Sequence, residues 1–170
     1  MPEFRSTLVL GGAASGKSAY AEDLVLGLPG RPVYIATAQA FDGEMTDKIA
    51  VHRARRGDTW TTVEEPLDLA GAIARADAPD ATLLVDCLTM WLNNLMADDR
   101  DAAAEAAQLV EVMDSLQGRI ALVANEVGLG IVPDNALARA FRNLHGMLNQ
   151  AVAAAADRVN RDQLLAERLA

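Results

Sequence analysis

The chain has 170 residues, of which 51% are hydrophobic and 4% aromatic, which suits one domain with an aliphatic core and excludes a disordered chain. Its 24 acidic and 15 basic residues give a net charge of −9, which excludes a nonspecific nucleic-acid binder, so any bound anion needs a local site. No apolar run reaches transmembrane length, the N-terminus does not resemble a secretory signal, and the single cysteine cannot form an internal disulfide, so we expect a cytoplasmic enzyme or binding protein.

Apolar runs alternate with helical patterns along the chain. Continuous apolar or β-branched runs predict four buried strands, at residues 7–10, 32–37, 82–85 and 119–124, and a further short strand at 60–63. Periodicity and stop signals predict helices at 15–26, at 44–56, from Pro66 to before Pro79, and at 135–156. They also predict a short helix that begins near residue 88 and, after a polar break at 98–101, another that ends near residue 116. We place Pro66 at the first position of its helix because proline is tolerated there.

Residues 11–18, with the letters GGAASGKS, match the phosphate-binding pattern G-x-x-x-x-G-K-[S/T]. An apolar run precedes them and a helical pattern follows, which is the context in which this pattern binds phosphate. The backbone N–H groups of such a loop surround phosphate oxygens, Lys17 reaches the outer phosphates, and the Ser18 hydroxyl can bind Mg²⁺. The alternative is an ordinary glycine-rich turn. Against it, the chain has 13 arginines and two lysines, yet a lysine occupies this position.

The alternating elements and the phosphate-binding pattern together predict an α/β protein with a P-loop NTPase-type three-layer fold. We expect a mainly parallel sheet covered by helices on both faces, because its strands are continuously apolar. No repeat, linker or composition break divides the chain, so we predict one nucleotide-binding domain over residues 1–170. The pattern does not give the order of the strands.

Two predicted strands end in acidic residues. Asp86 follows the run at 82–85, which places its carboxylate at the carboxyl edge of the sheet, beside the phosphate loop. There it could hold Mg²⁺ directly or through water, and the alternative is a helix N-cap. Glu126 ends the next strand in the same manner. It either orients a nucleophile or water, or it caps local structure.

Four of the fifteen basic residues fall within positions 48–56, and His52 lies among them. On a helix, His52 shares one face with Met45, Ile49 and Arg56, at steps of four, three and four residues. Spacing alone favours a half-buried histidine beside a solvated basic end. The alternative is a histidine nucleophile whose arginine neighbours hold a triphosphate.

Two further reactive side chains are predicted to be structural. His145, the other histidine, lies inside the last predicted helix without clustered partners, and Cys87 reads as a small buried residue. The base-reading pattern N-K-x-D of GTPases is absent, so spacing does not reveal which base is bound.

Several segments together resemble one enzyme family. They are GGAASGKS (11–18), YIATA (34–38), DGEM (42–45), K-I-x-x-H (48–52), W-x-x-x-E-x-P (60–66), VDCLTMWLNNL (85–95) and NEVGLGIVPDNALARAFRNLHGMLNQ (125–150). They run in the family's order over residues 7–157, and the last two are far more specific than the phosphate loop. On these residues the chain is similar to the bifunctional adenosylcobinamide kinase / adenosylcobinamide-phosphate guanylyltransferase family of cobalamin biosynthesis.

The resemblance implies an enzyme with two activities on a corrinoid. It is expected to phosphorylate adenosylcobinamide with ATP or GTP, and then to transfer GMP from GTP, through a GMP-histidine, to give adenosylcobinamide-GDP. The family's nucleophile falls on His52, which reverses the interpretation from spacing alone, and Lys17 is the second expected catalytic residue. Mg²⁺ is the expected cofactor, held by Ser18 and Asp86. Trimers are known in the family, so a homo-oligomer is expected, whereas nucleic-acid and membrane partners are not.

The implied nucleotide contacts fall on the loop, on the end of the second strand, on the basic cluster and on two acidic residues. They are Gly11, Gly12, Ala13, Ala14, Ser15, Gly16, Lys17 and Ser18; Ala36, Thr37 and Ala38; Arg53, Ala54, Arg55 and Arg56; and Glu64 and Asp86.

The sequence departs from the family at three places. Ala14 replaces the arginine usual in the family's loop, and Asn143 stands where aspartate is usual. After Val159 the residues read as a helix, where the family continues into a final edge strand. Two other functions stay open: a P-loop ATPase or nucleotide switch without a covalent intermediate, and a small-molecule kinase without guanylyl transfer.

Overall fold

The computed structural model describes residues 4–39 and 43–161, without the side chains of Lys48 and Arg55. Within these residues the strands are β1 (Ser6–Gly11), β2 (Arg31–Ala36), β3 (Thr61–Glu64), β4 (Ala81–Asp86), β5 (Arg119–Asn125) and β6 (Arg158–Arg161). The helices are α1 (Lys17–Leu26), α2 (Gly43–Arg56), α3 (Leu69–Ala76), α4 (Leu88–Ala97), α5 (Ala102–Asp114) and α6 (Ala136–Ala155). A single 3₁₀ turn, Gly57–Thr59, follows α2 within the described part of the chain.

The described strands form one six-stranded sheet in the order β3-β2-β4-β5-β1-β6, and every neighbouring pair is parallel. The prediction of a parallel sheet is therefore confirmed. The strand of the phosphate loop, β1, lies between β5 and β6, so β5 separates it from β4. All strands point the same way, so their carboxyl ends meet at one edge, called here the carboxyl edge.

Two aliphatic clusters cover the two faces of the sheet. Successive strand residues point to opposite faces, so Leu8 and Leu83 join the larger cluster whereas Val9 and Leu84 join the smaller one. The larger cluster packs against residues of α3, α4, α5 and α6, and the smaller one packs against α1. The prediction of helices on both faces is confirmed, and Trp91 is the largest fully buried side chain described.

The helix predicted to start at Pro66 starts later, at Leu69. The Glu65 carboxylate accepts hydrogen bonds from the backbone N–H groups of Leu67 and Asp68, at 3.0 and 2.9 Å, which fixes a turn after the proline. Asp68 then caps the helix by accepting a bond from the Gly71 N–H. Two local carboxylates therefore outweigh the preference of Pro66 for a first helical position.

The prediction of a helix after Val159 is wrong for the described residues, because β6 pairs with β1. The Asp157 carboxylate accepts bonds from the backbone N–H groups of Arg5 and Ser6, at 2.8 and 3.1 Å, which joins the start of β6 to the start of β1. Asn160 is buried in the strand and donates to the Tyr20 hydroxyl at 3.1 Å. The rest of that prediction, at residues 162–170, lies outside the described part of the chain.

No helix in the described residues is both long and apolar enough to cross a membrane.

Candidate functional site

The phosphate-binding loop connects the end of β1 to the first turn of α1. Gly16 caps α1 with φ of +86°, and Ala14 also has a left-handed backbone, with φ of +54°. These two positions let the loop turn back over the helix N-terminus, where N–H groups point toward a bound anion. A Cβ placed on Gly12 would meet no atom within 4 Å, so the space over the loop is open.

Two side chains of the loop are placed to meet phosphate oxygens. Lys17 is only 9% exposed, and its ammonium donates to the Gly12 carbonyl at 3.1 Å, so it lies along its own loop. The Ser15 hydroxyl is buried and has no hydrogen-bond partner within residues 4–39 and 43–161. A buried hydroxyl without a partner costs stability, and a phosphate oxygen would satisfy it.

A buried tyrosine connects the acidic and the basic sides of the site. The Tyr34 hydroxyl donates to Oδ2 of Asp86 at 2.7 Å. The Arg56 guanidinium lies 3.8 Å from the centroid of the Tyr34 ring, and Trp60 packs edge-on against that ring with centroids 5.5 Å apart. Burial, reinforced by the charge of Asp86, raises the pKa of Tyr34, so its hydroxyl keeps its proton and remains a donor.

Arg56 is held mostly inside the protein. Its side chain is 7% exposed, and its Nε donates to the His52 carbonyl at 3.1 Å. One terminal nitrogen, Nη1, is buried and has no hydrogen-bond partner in the described part of the chain. A guanidinium with an unsatisfied buried N–H group is suited to a phosphate oxygen.

One face of α2 forms the wall opposite the loop. Met45, Ile49, His52 and Arg56 line a cavity of about 200 Å³, which confirms that they share a face. His52 is exposed, so the prediction of a half-buried histidine is wrong. We name this space the nucleotide cavity; its lining is Ser18, Tyr34, Ala36, Ala38, Met45, Ile49, His52, Arg56, Glu64, Asp86, Cys87 and Met90.

Asp86 reaches this cavity although its strand is not next to β1. The N-cap of α4 is Cys87, without a side-chain capping bond, so the alternative of Asp86 as a helix cap is wrong. Ser18 and Asp86 line the same cavity and offer a hydroxyl and a carboxylate oxygen, the ligand type that Mg²⁺ prefers. No group of three or more His, Cys, Asp or Glu suited to a metal occurs in the described residues. The donor set fits a magnesium ion that takes its other ligands from phosphates and water.

The remaining predicted nucleotide contacts differ in their exposure and in their bonding partners. Ala36 and Ala38 line the cavity, but Thr37 is buried and its hydroxyl bonds to both the carbonyl and the N–H of Cys87, at 2.7 and 2.9 Å. Arg53 forms an ion pair with Glu64 that joins α2 to β3. The side chain of Arg55 lies outside the described residues, and Ala54 is exposed.

Glu126 lies beside the first glycine of the loop. Its backbone N–H donates to the Gly11 carbonyl at 3.1 Å, and its carboxylate pairs with Arg161 of β6 at 2.7 Å. It caps no helix, because the next helix begins at Ala136 after its own cap, Asn135. The residue beside the loop is therefore Glu126, while Asp86 faces the loop across the cavity.

His145 is buried and does not line the nucleotide cavity, which agrees with the structural role predicted for it. Cys87 was predicted to be a buried residue, but it is only partly buried and lines the nucleotide cavity. Burial lowers the pKa of His145, which packs between Thr89 at 2.8 Å and Asn149 at 3.2 Å. The Asn149 side-chain nitrogen donates to the Asn125 carbonyl and therefore also donates to Nδ1 of His145. Since Nδ1 accepts, the proton of the neutral imidazole is assigned to Nε2, which donates to the Thr89 hydroxyl. Burial and the charge of Asp86 raise the pKa of Cys87 to about 11, so this thiol stays protonated near neutral pH.

Tyr34 and Asn94 are the site residues that sequence reasoning missed. Tyr34 carries the only hydroxyl between the ends of an apolar strand, Arg31–Ala36, and that was the available signal. Asn94 is buried and donates to the Thr37 carbonyl at 2.6 Å and to the Pro66 carbonyl at 3.0 Å. Nothing in its own sequence surroundings marks that role.

Comparisons with known proteins agree with this geometry. Residues 7–161 match the sequence profile described as cobinamide kinase / cobinamide phosphate guanyltransferase. The chain is 49% identical over 154 residues to the bifunctional adenosylcobalamin biosynthesis protein CobP of Pseudomonas aeruginosa, covering 89% of each protein. It is 40% identical over 167 residues to the bifunctional adenosylcobalamin biosynthesis protein CobU of Escherichia coli, covering 89% of this chain and 92% of that relative.

Among solved structures, the fold is similar to that of an ATPase from the type III secretion system of pathogenic bacteria, with a TM-score of 0.56 and 14% identity. That likeness covers 96% of this chain but only about half, 53%, of the ATPase chain, and it concerns the fold alone.

Proposed function

Since the chain belongs to the cobinamide kinase / cobinamide phosphate guanyltransferase family, we propose that the nucleotide cavity serves both reactions of that family, with His52 as the covalent nucleophile. The observation that carries this proposal is the convergence on one cavity of Ser18 from the loop, Asp86 from β4 and His52 from α2. A phosphate chain bound on the loop would extend into this space.

In the kinase reaction, the loop binds the triphosphate of ATP or GTP. The hydroxyl oxygen of the cobinamide aminopropanol arm attacks the γ-phosphorus, a P–O bond forms, and the bond from the γ-phosphorus to the β–γ bridging oxygen breaks. The hydroxyl loses its proton and the nucleoside diphosphate leaves. Lys17 stabilises the negative charge that develops on the transferred group and on the leaving diphosphate.

Ser18 and Asp86 would hold Mg²⁺, which when bound would neutralise phosphate charge and orient the triphosphate. The Tyr34 hydroxyl fixes the Asp86 carboxylate, and the stacked Arg56 fixes the ring of Tyr34. These two contacts connect the acidic and the basic sides of the cavity.

In the transfer reaction, a ring nitrogen of His52 attacks the α-phosphorus of GTP. A P–N bond forms, the bond to the α–β bridging oxygen breaks, pyrophosphate leaves, and the imidazole loses its other N–H proton. A phosphate oxygen of cobinamide phosphate then attacks the same phosphorus and displaces the histidine, giving cobinamide-GDP. The buried, unsatisfied Nη1 of Arg56 is suited to an oxygen of the leaving pyrophosphate.

The test is labelling with GTP that carries a labelled α-phosphate, followed by denaturing electrophoresis. Wild type should carry an acid-labile label, and His52→Ala should carry none while it keeps substantial kinase activity. Val51→Ala changes the neighbouring residue, which is 68% exposed and not in the cavity lining, and should label normally. His145→Gln should also label, because that histidine is buried and does not line the nucleotide cavity.

The other open functions predict different results. A plain P-loop ATPase or switch would hydrolyse nucleotide without labelling in wild type, and a kinase without transfer activity would phosphorylate cobinamide but never label. Labelling of His52→Ala would place the nucleophile elsewhere and would contradict the proposal.

We also propose a cytoplasmic homo-oligomer, and the family resemblance suggests a trimer. The support is the family's known assembly and the dependence of both reactions on nucleoside triphosphates, which are abundant in the cytoplasm. Analytical ultracentrifugation of the purified protein tests the assembly, and a monomer across micromolar concentrations would contradict it.

A further inference from the structure

A second cavity, of about 600 Å³, lies between α4 and α6 and is larger than the nucleotide cavity. Met96 and Ala97 of α4 form one wall, and Ala138 and Phe141 from the first turns of α6 form the other. We name it the α4–α6 cavity. Among the described residues, neither the phosphate loop nor a predicted nucleotide contact lines it.

The two cavities follow each other along one side of α4. Met90 lines the nucleotide cavity, while Asn93 and Ala97 line the α4–α6 cavity. These residues are spaced by three and four positions, so they lie on one stripe of the helix. A ligand bound along this stripe would reach from one cavity into the other.

Both cavities lie at the carboxyl edge of the sheet. Near the end of α4, Asn94 donates to the carbonyl of Thr37, just beyond β2, so the helix stays close to that edge. Val127 lines the α4–α6 cavity and directly follows Glu126, whose N–H donates to Gly11 of the phosphate loop. The cavity therefore opens beside the loop, where the transferred phosphate would be held.

The lining combines apolar surface with a few strong donors. Phe141 and Met96 offer flat or flexible apolar contact, and Asn93, Asn135 and Arg142 supply amide and guanidinium N–H groups. This composition matches a broad apolar ring system with amides at its periphery. The described lining residues include one cationic side chain, Arg142, so the cavity is poorly suited to the high negative charge of a free nucleotide.

Exposed apolar side chains occur in the lining of the cavity and in the chain next to it, and together they are called here the apolar rim. Leu137, which lines the cavity at the start of α6, is 71% exposed. Leu129 and Ile131 lie in the chain between two lining residues, Val127 and Pro133, and are 78% and 97% exposed. Several large exposed apolar side chains in one stretch indicate a binding surface. A ligand much larger than the cavity itself would contact this rim.

We propose that the α4–α6 cavity and its apolar rim bind the corrin macrocycle of the acceptor, with the aminopropanol arm directed along α4 toward the phosphate loop. This inference rests on the proposed function, because it uses the same acceptor. Both reactions act on the end of one arm, first on its hydroxyl and then on its phosphate. A macrocycle held in one place would therefore serve both steps while the nucleotide changes.

The wall formed by Phe141 is anchored to the sheet. Phe141 packs on His145 with ring centroids 5.6 Å apart, and Thr89, bonded to His145, accepts from the Asn125 N–H at 2.8 Å. These contacts connect the proposed binding surface to the end of β5.

The test is to fill the cavity with tryptophan by Ala97→Trp and Ala138→Trp. Ala107→Trp is the matched control, because Ala107 lines a different groove, between α5 and α6. Cobinamide binding is followed directly by equilibrium dialysis, using the visible absorbance of the corrinoid. We expect the Kd for cobinamide to rise by roughly tenfold or more in both variants, and to stay unchanged in the control.

A second readout separates this inference from the proposed function. Labelling by α-labelled GTP needs no corrinoid, so both tryptophan variants should label at the wild-type rate, which also shows that they fold. Unchanged cobinamide binding in both variants would overturn the inference. So would a change in sedimentation coefficient, because it would assign the cavity to a contact with a second copy. Loss of binding in a protein that never labels would overturn only the proposed function.

Discussion

Ala14 occupies a position in the phosphate loop that disfavours a side chain. Its φ of +54° costs an L-residue about 1–2 kcal/mol, whereas glycine loses roughly 0.5–1 kcal/mol of entropy on folding. Ala14→Gly should therefore stabilise the protein by about 0.5–1 kcal/mol.

The measurement is urea unfolding, with Ala13→Gly as the matched control. Ala13 is not among the described residues with positive φ, so glycine there should destabilise slightly. Equal effects at the two positions would show that the left-handed backbone at Ala14 carries no strain.

Tyr34 positions Asp86 through a single hydrogen bond. Tyr34→Phe keeps the ring beneath Arg56 but removes that bond, so the Mg²⁺ concentration for half-maximal kinase activity should rise roughly tenfold. Tyr20→Phe is the matched control, because Tyr20 bonds to Asn160 and does not line the nucleotide cavity. An unchanged Mg²⁺ requirement in Tyr34→Phe would leave Tyr34 with a packing role only.

His145 makes folding sensitive to mild acid. Burial lowers its pKa, so below about pH 6.5 the unfolded chain binds a proton that the folded chain does not. The free energy of unfolding should therefore fall with decreasing pH, by up to about 1.4 kcal/mol per pH unit from this group. Urea titrations between pH 5 and 7 should show a smaller slope in His145→Gln, and identical slopes would contradict a buried neutral imidazole.

Residue-level chemistry was predictable wherever it was local. The letters GGAASGKS identify the loop because the motif and its flanking elements are contiguous. Tyr34 was not predictable, because its bond to Asp86 depends on the register that pairs β2 with β4. The exposure of His52 likewise depends on where α2 lies in the fold, and the spacing of residues along the helix does not reveal that position.

At the scale of elements, the central strands were predictable from apolar runs, whereas the ends of helices and the edge strand depended on single polar side chains. Pro66 suggested an early start for α3, but the Asp68 cap moved it to Leu69. Strand β6 was missed because it is only four residues long and largely polar, and its anchor, Asp157, bonds to Arg5 and Ser6 at the other end of the chain.

That anchor gives an element-scale prediction. The bonds from Arg5 and Ser6 lower the pKa of Asp157, so the link is present above the ordinary carboxylate range and is lost as pH falls through the lowered value. Asp157→Ala should destabilise the protein by about 1 kcal/mol. Hydrogen exchange should accelerate at Arg5, Ser6 and β6. Acceleration spread evenly over the sheet would contradict a local anchor.

At the scale of the whole molecule, fold class and family followed from the sequence, but strand order did not. Placing β5 between β1 and β4 puts Glu126 beside the loop and Asp86 across the cavity from it. That order arises from packing of the complete sheet. It also produces the arrangement on which the proposed function rests, because Ser18 of the loop, Asp86 and His52 line one cavity only when all these elements are assembled.

Parallel assays of Lys17→Ala and His52→Ala test most directly whether one loop and one cavity perform both reactions. Each variant is assayed for phosphorylation of cobinamide and for labelling by α-labelled GTP. Loss of Lys17 should slow both reactions by roughly 100-fold or more, because both develop charge on phosphates held by the loop. Loss of His52 should abolish labelling alone. Normal labelling of Lys17→Ala would show that GTP binds elsewhere for the transfer and would contradict the single-site account.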